Sequence, residues 1–364
     1  MRSNIWNSSR LRQNVFRHSI SSTAFLFLVA LLVGLTACGG SASSNTSSSS
    51  KPDVTIGYMD NGAEPEVIAV AQSLFSKYMK NANVQVKYFD SGPASLGAVA
   101  SGSLQFMTGI GNPPTVSAIT RGVPLQVVWA QELYTQDEGL VVRSNSGIQS
   151  VKDLAGKTVA LVLGSTSEFA LDATLKNAGV DPNSVHKLNM APPAMRAAWT
   201  NHSIDAAYVW DPVFDALSHD SGTVLGTDLN VKQQAPIYSL SLVNSSWGTA
   251  HPDLVKQFIQ AQNAAVTFYQ QHPDEALQVI AKQESISVAT VKTELAGYQI
   301  FGLQDQLGAD ALGQGSSISS SLVAQSLTLS GQFLQQKGAI TSVPASFVSN
   351  VNPTYAQQVL KAGS

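Results

Sequence analysis

Three short segments place small hydroxyl or amide residues after a strand-like run and before a helical one. The N-terminus of a helix presents unpaired N–H groups and a partial positive charge, so such turns bind oxyanions without a lysine or arginine. This donor set suits a weakly hydrated, permanently ionised group such as a sulfonate. The candidate anion-binding residues are Ser91, Asn112, Pro113, Ser165, Thr166 and Ser167.

The same turns are also explained as ordinary helix caps. Ser165 and Glu168 have the spacing of a capping box, in which the glutamate returns to the N–H of the cap residue. Capping and anion binding use different donors of one helix end. The sequence is therefore compatible with both roles at residues 165–167.

Three acidic residues at turns are candidate partners for a cationic group. They are Glu64, Glu138 and Asp211, and Trp210 next to Asp211 offers an aromatic wall or a cation–π face. Taken singly, each carboxylate is equally explained as a solvated or capping group. Together with the anion-binding turns, they predict a site for a zwitterion.

Motifs for enzymatic chemistry are missing from the sequence. The histidines, at positions 18, 186, 202, 219, 251 and 272, have no metal-ligand spacing, and neither a phosphate-binding G-x-x-x-x-G-K-[ST] loop nor G-x-S-x-G occurs. We therefore predict no catalytic residue, no metal and no cofactor. A Ser, His and Asp brought together by the fold stays open as a distant alternative.

The elements that position these residues alternate between strands and helices up to about residue 220, and a mostly helical stretch follows from about residue 253. This alternation predicts βαβ units, an α/β fold and sheets covered on both faces. Strands are predicted at 54–58, 84–89, 104–108, 125–130, 139–143, 158–163, 185–189 and 205–209. Helices are predicted at 92–101, 113–120, 166–178, 193–201, from 212, and at 253–270, 274–282, 287–301 and 316–337.

Composition indicates a globular chain with few surface charges. Of 364 residues, 44% are hydrophobic and only 12% are charged. Arg2, Arg10, Arg12 and Arg17 precede residue 38 and no acidic residue does, so the remainder has 17 basic and 24 acidic residues, a net charge of −7. Such a chain has no basic excess to displace counterions from a nucleic-acid backbone, and we exclude nucleic acid as a partner.

The first 37 residues have the pattern of an export signal. Basic residues are followed by the apolar run AFLFLVALLVGL at 24–35, which is too short to span a bilayer. The next residues, LTAC at 35–38, resemble the lipobox of bacterial lipoproteins. We expect cleavage before Cys38, lipidation of its sulfur and anchoring on the outer face of a membrane. Residues 38–52 then form a lipidated cysteine and a serine-rich tether.

Several motifs resemble the taurine, aliphatic sulfonate and nitrate branch of the substrate-binding proteins of ABC importers. The resemblance covers about residues 53–340, and Ala63, Glu64, Pro65 and Glu138 are most like taurine-binding members. The motifs are FDSG at 89–92, ASG at 100–102, GVP at 122–124, DLAGK at 153–157, GST at 164–166, PPAMRAAW at 192–199 and IDAAYVW at 204–210.

The resemblance implies a type II periplasmic binding protein fold. Residues 53–138 form the first part of lobe 1, residues 139–240 form lobe 2, and residues 241–364 complete lobe 1 and supply the C-terminal helices. Two strand-like crossings, near 138–143 and 237–244, act as a hinge, and ligand binds between the closing lobes.

It also implies a function. The protein captures a small sulfonate, taurine in the first place, and delivers it to an ABC permease and its ATPase, working as a monomer. The alternatives are a receptor of the same fold for another small organic ion, for nitrate or for a pyrimidine precursor of thiamine, and more distantly an enzyme of that fold. A pyrimidine would stack on Trp210 and Tyr58, with Trp129 more typical of a core residue.

One position departs from the pattern of taurine binders, where an uncharged residue or histidine is usual. Glu168 occupies it here. If its carboxylate faces the cleft it disfavours a sulfonate, whereas if it caps its helix the charge is directed elsewhere.

Overall fold

Two β-sheets organise residues 51–363, the part of the chain that the computed structural model describes. The strands are β1 (Asp53–Met59), β2 (Asn83–Phe89), β3 (Phe106–Gly111), β4 (Leu125–Tyr134), β5 (Glu138–Arg143), β6 (Thr158–Leu161), β7 (His186–Asn189), β8 (Ala206–Trp210), β9 (Gly222–Thr227), β10 (Tyr238–Asn244) and β11 (Tyr298–Ile300).

Helices cover the sheets and form most of the C-terminal part. They are α1 (Pro65–Ala71), α2 (Leu74–Tyr78), α3 (Gly92–Ala100), α4 (Asn112–Thr120), α5 (Thr166–Asn177), α6 (Pro192–Thr200), α7 (Val213–His219), α8 (Ser245–Ala250), α9 (Pro252–Gln271), α10 (Pro273–Glu284), α11 (Val288–Leu295), α12 (Leu322–Gln336) and α13 (Thr354–Gly363). None of the helices within residues 51–363 is long and apolar enough to cross a membrane.

Sheet A has six strands in the order β11-β4-β10-β3-β1-β2. β1 runs parallel to β2 and β3, whereas β10 is antiparallel to β3 and β4. The register of β10 places Ser239 opposite both Gly111 and Glu132. The ends of three neighbouring strands thus meet at one edge of the sheet.

Sheet B has five strands in the order β7-β6-β8-β5-β9. β6 is parallel to β7 and β8, and β5 is antiparallel to β8 and β9. The register sets Glu138 at the start of β5 directly opposite Trp210 at the end of β8. Two predicted site residues are therefore neighbours on adjacent strands.

The chain passes between the sheets twice. It leaves sheet A after Tyr134 and enters sheet B at Glu138, and it returns between Thr227 and Tyr238. The strands predicted as hinge crossings, β5 and β10, each lie inside a sheet, so the connecting segments are 135–137 and 228–237. Residues 51–363 pack as one unit.

The C-terminal part packs against sheet A and its helices. α9 lies against α1 and α2, and α12 lies against α4. The Gln306 side chain accepts from the Ala130 N–H and donates to the Ala130 carbonyl, both at 2.8 Å. A buried amide that pairs with both backbone groups of β4 fixes this connection to the sheet.

Most predicted elements are confirmed, but several bounds differ and β9, α8 and α13 are not predicted from the sequence. The spacing of apolar residues predicts one helical face over 67–78, which is divided into α1 and α2 because Ser73 has φ 54°. The third strand starts at Phe106 instead of 104 and continues to Gly111. The helix predicted at 287–301 ends at Leu295, because Tyr298–Ile300 pairs with β4 as an edge strand. Cys38 and the predicted signal peptide lie outside the described residues.

Candidate functional site

A small cavity lies between the two sheets. In this closed arrangement it has room for about one water molecule, since the centre of a water-sized sphere can occupy only about 10 Å³ of it. None of the lining residues is a lysine, arginine or histidine. They are Met59, Asn61, Gly92, Pro93, Gly109, Gly111, Pro114, Tyr134, Ser165, Thr166 and Trp210.

The two sides of the cleft are in contact. A Cβ atom added to Gly111, at the end of β3, would lie 2.5 Å from the Thr166 Cγ2 at the start of α5. A Cβ atom on Gly62 would lie 2.7 Å from the Asp211 Cβ, and Gly62 also has φ +96°. Cβ atoms do not approach this closely, so both positions require glycine in this closed arrangement.

The first turn of α5 presents a backbone donor to the cavity, while its hydroxyl groups are bonded within the protein. Ser165 Oγ donates to the Val162 carbonyl at 2.7 Å and accepts from the Ser167 N–H at 3.2 Å. Thr166 and Ser167 donate their hydroxyl groups to Glu138 Oε1. The Ser167 N–H is thus used by the cap, which leaves the Thr166 N–H at the helix end as the backbone donor suited to an anion.

Glu168 caps α5 and does not line the cavity. Its Oε2 accepts from the Gly164 N–H at 2.9 Å, one residue before the predicted cap. Its Oε1 faces the ammonium groups of Lys187 at 3.4 Å and Lys337 at 3.3 Å. The alternative in which Glu168 repels a sulfonate from inside the cleft is therefore wrong for this conformation.

Glu138 forms a buried carboxyl pair with Asp228. Burial raises the pKa of Glu138 to about 7, and the hydrogen bonds from Ser167 and Thr166 limit the rise. Burial, followed by the charge of Glu138, raises the pKa of Asp228 well above its usual range, while Tyr208 donates to Asp228 Oδ1 at 2.8 Å. Neighbouring buried carboxyls do not both ionise readily, so this pair retains a proton at near-neutral pH.

A second carboxyl pair lies on the sheet A side. Glu64 is fully buried, and burial and then the charge of Glu132 raise its pKa well above the usual range. Burial raises the pKa of Glu132 to about 7. This pair therefore also retains a proton at near-neutral pH. Tyr134 lines the cavity, and burial, followed by the charges of Glu132 and Glu64, raises its pKa.

The other predicted aromatic and acidic residues occupy the sheet B side. Trp210 lines the cavity and is 3% exposed. Asp211 is buried, and its Oδ1 accepts from the Asp215 N–H at 2.8 Å. Burial and then the charge of Glu294 raise the Asp211 pKa well above its ordinary value. Asp211 thus closes the rim of the cleft against Gly62.

Two predicted residues on the sheet A side have other partners. Ser91 caps α3 by accepting from the Ala94 N–H at 3.4 Å. Asn112 Nδ2 donates to Ser330 Oγ at 2.7 Å. Its Oδ1 accepts from the Tyr238 N–H at 3.1 Å. Asn112 is completely buried and joins β10 and α12, so we assign it to this junction and not to ligand contact.

Pro113 is buried in the first turn of α4, and the neighbouring Pro114 lines the cavity in its place. Trp129 is a core residue, as its position in an apolar strand indicated, and is 1% exposed. Tyr58 packs against Tyr88 with ring centroids 6.5 Å apart. Trp210 lines the cavity but Tyr58 does not, so the two rings do not together offer the predicted stacking surface for a pyrimidine.

Sequence reasoning missed the residues that depend on strand register. Glu132 and Tyr134 are among the last residues of β4, and their local sequence has no motif that marks them as site residues. Asn61 is fixed by its donation to the Gly109 carbonyl at 3.0 Å, and Gly109 has φ +79°. The available sequence signal was that Glu132 is the one charged residue of β4.

The family assignment follows from comparison with known proteins. Residues 68–276 match the model of the NMT1/THI5-like family, which is more than half of the chain. The chain belongs to this family. The resemblance to substrate-binding proteins of the taurine, aliphatic sulfonate and nitrate type is thereby confirmed.

Named relatives cover most of this NMT1/THI5-like chain. The taurine-binding periplasmic protein of Escherichia coli is 29% identical over 311 residues, which is 84% of this chain and 93% of that protein. A putative aliphatic sulfonates-binding protein of Bacillus subtilis is 27% identical over 274 residues, or 74% of this chain and 81% of that protein.

A solved structure confirms the predicted two-lobe α/β fold. The alkanesulfonate-binding protein SsuA from Xanthomonas axonopodis pv. citri, bound to MOPS, superposes with a TM-score of 0.66 at 21% identity. The match covers 82% of this chain and 98% of that structure. At this identity the likeness establishes the fold alone.

The buried acids predict that the ligand-free protein loses stability as the pH rises. Burial raises the pKa of Glu66 and Glu284 to about 8 and of Glu132, Glu138 and Glu294 to about 7. The folded state therefore keeps protons that the unfolded chain loses above about pH 4.5, and stability falls between that pH and about 8. We expect the melting temperature at pH 8 to be at least about 5 °C below that at pH 5.5. A melting temperature that is constant or rises from pH 5.5 to pH 8 would contradict the conclusion that these carboxyls have raised pKa values in the folded protein.

Proposed function

We propose that this protein is an extracytoplasmic substrate-binding lipoprotein of an ABC importer that captures a small sulfonate, taurine in the first place. It holds the ligand between the lobes and delivers it to the permease and its ATPase. The names of the taurine-binding and sulfonate-binding relatives support this proposal. Residues 53–138 and 241–364 make lobe 1 and residues 139–240 make lobe 2, which close by hinge motion.

One observation carries the choice of ligand. The N-terminus of α5 lines a small cavity whose lining contains no cationic side chain, and the buried Glu138 carboxyl lies directly behind this lining, where it accepts from the Thr166 and Ser167 hydroxyls. The helix end suits the sulfonate, and the carboxylates of Glu132 and Glu138 suit the ammonium. Taurine carries both groups two carbons apart. Trp210 supplies the aromatic wall and also a cation–π face for the ammonium.

Other ligands fit this cavity less well. A single small anion such as nitrate gains nothing from the carboxylates and is usually met by a lysine or arginine, which the lining does not provide. A flat pyrimidine would have Trp210 and Tyr134 as its aromatic neighbours, with no stack from Tyr58. The enzyme alternative would be supported only by turnover of a ligand by the purified protein.

Calorimetric titration tests the proposal. Residues 51–364 are unfolded and refolded to remove any carried-over ligand and are titrated with taurine, ethanesulfonate, nitrate and a hydroxymethylpyrimidine. We expect micromolar or tighter binding of taurine, at least tenfold weaker binding of ethanesulfonate, and no turnover of either. Tighter binding of ethanesulfonate than of taurine would refute the zwitterion site, and binding of the pyrimidine alone would favour that alternative.

Attachment to the membrane is a separate part of the proposal. The lipobox-like LTAC at residues 35–38 and the serine-rich segment after it support a lipid anchor on Cys38. We expect the wild-type protein expressed in a bacterial host to sediment with membranes and the Cys38→Ser variant to be released by more than about 80%, because the lipid carries the membrane affinity. Equal sedimentation of both proteins would exclude lipidation as the anchor.

A further inference from the structure

A cluster of four charged side chains joins the two halves of the closed protein at a distance from the cavity. Lys337, the residue that follows α12, lies 3.3 Å from Glu168 Oε1 and 3.6 Å from Asp172 Oδ2 of α5. Lys187 of β7 contacts the same two carboxylates. Lys337 is 27% exposed, and the other three side chains are 6–8% exposed.

Lys337 belongs to the sheet A side of the protein. α12 packs on α4, and the Ser330 hydroxyl of α12 accepts from Asn112 at the start of α4. Glu168, Asp172 and Lys187 all belong to sheet B or to its helix α5. The pairs formed by Lys187 therefore lie within one lobe, whereas those formed by Lys337 cross between the lobes.

Few other contacts join α5 to α12. The rings of Phe169 and Phe333 lie 5.1 Å apart, and Lys176 donates to Gln336 at the exposed edge. A groove of about 500 Å³ lies beside them, between the two helices. Because the helices are not closely packed along their length, the charged cluster is the main polar connection between them.

We propose that Lys337 is a latch that holds the lobes closed. In the closed protein, two ammonium groups balance two carboxylates that are nearly buried. If the lobes separate, Glu168 and Asp172 keep only Lys187 and carry one uncompensated negative charge. Breaking a largely buried ion pair in this way is costly, and the cost opposes opening.

The latch is also connected to the ligand end of α5. The carboxylate of Glu168 that pairs with Lys337 accepts from the Gly164 N–H, directly before the turn that lines the cavity. With Lys337 in place, the negative charge near this helix end is neutralised. Closure thus removes a charge that would repel the sulfonate, a step that rests on the proposed function.

Stopped-flow kinetics of taurine release, followed by intrinsic tryptophan fluorescence to which Trp210 in the cavity lining contributes, test the latch. We expect Lys337→Met in residues 51–364 to raise the dissociation rate constant about tenfold and to change the association rate constant less than threefold, since losing a buried charge pair acts on release. Lys337→Arg keeps the charge, and we expect it to restore release to within threefold of the wild type. Unchanged release from the Lys337→Met variant would overturn the latch.

The matched control is Lys256→Met. Lys256 is 34% exposed and pairs with Asp253 within α9, at 2.6 Å. This variant also removes one ion-paired lysine, but within a single helix, and should release taurine at the wild-type rate. Slower or faster release from both variants by the same factor would assign the effect to net charge and would also overturn the latch.

A ligand-free measurement separates this inference from the proposed function. Spin labels on cysteines at the exposed positions Arg121 and Lys152 report the distance between the lobes. We expect Lys337→Met to shift the distance distribution away from that of the wild type and Lys337→Arg to retain it. If taurine does not bind, the proposed function fails while this distance still decides the latch, and an unchanged distribution refutes it.

Discussion

Replacement of Gly111 by alanine is expected to weaken taurine binding about 50-fold, the equivalent of roughly 2–3 kcal/mol of overpacking, while the protein stays folded. Gly111 has φ −70°, which alanine adopts without strain. Within its own lobe, the nearest atom to an added Cβ is Pro114 Cδ at 3.8 Å, an ordinary contact. The conflict is with the other lobe, where the Thr166 Cγ2 would lie at 2.5 Å.

Thr166 cannot relieve this conflict cheaply. Its hydroxyl is bonded to the Glu138 carboxylate at 3.0 Å, and rotation of the side chain would break that bond. The open protein accepts the new methyl group, and the closed protein does not. The variant should therefore fail at closure and not at folding, which titration calorimetry and a melting curve measure together.

A second substitution distinguishes this explanation from a general disturbance. Thr166→Ser removes Cγ2 and keeps the hydroxyl, so in the Gly111→Ala background it should recover most of the lost affinity. Gly97→Ala is the matched control, because nothing lies within 4 Å of an added Cβ there, and it should bind like the wild type. Wild-type affinity for Gly111→Ala would show that the lobes do not meet at this point when ligand is bound.

Replacement of Glu138 by glutamine is expected to reduce the affinity for taurine about 100-fold, as loss of a buried charge partner does. The variant keeps the size of the side chain and an oxygen that accepts from Thr166 and Ser167. It removes the negative charge that Glu138 carries when deprotonated, next to Thr166 of the cavity lining. The affinity for ethanesulfonate, which has no ammonium, should be unchanged or higher.

Asp228→Asn provides the control within the same pair. Burial and then the charge of Glu138 raise the Asp228 pKa well above its usual range, so asparagine replaces a group that favours its neutral form. Asparagine still accepts from Tyr208 and leaves the Glu138 carboxyl in place. We expect taurine affinity within about threefold of the wild type. Equal losses in Glu138→Gln and Asp228→Asn, or a parallel loss for ethanesulfonate, would mean that the pair acts by positioning α5 and not by its charge.

The alternating pattern of apolar runs placed most strands and helices correctly because it records which residues must be buried along each element. Where elements were misplaced, a contact distant in the sequence was responsible. The segment Tyr298–Ile300 is a strand because it pairs with β4. A helical face at 67–78 did not reveal the break at Ser73, which packing against α9 accommodates.

The candidate site shows the same division. The sequence identified the turn at residues 165–167 and the acids Glu64 and Glu138, since local spacing marks helix starts and loops. It did not identify Glu132 or Asp228, the carboxyl partners of these two acids. Glu132 lies in β4, 68 residues after Glu64, and Asp228 follows β9, 90 residues after Glu138. Each pair therefore depends on elements that are distant in the sequence.

The sequence by itself determined the class of the protein: an α/β chain without a basic excess, with anion-suited helix starts and turn carboxylates; its first 37 residues predict an export signal. Only the tertiary structure decided that Glu168 caps α5 and meets Lys337, that Asn112 joins β10 to α12, and that Gly111 meets Thr166 across the cleft. Local propensities depend on neighbours in the chain, whereas charge partners and close approaches depend on how distant elements pack.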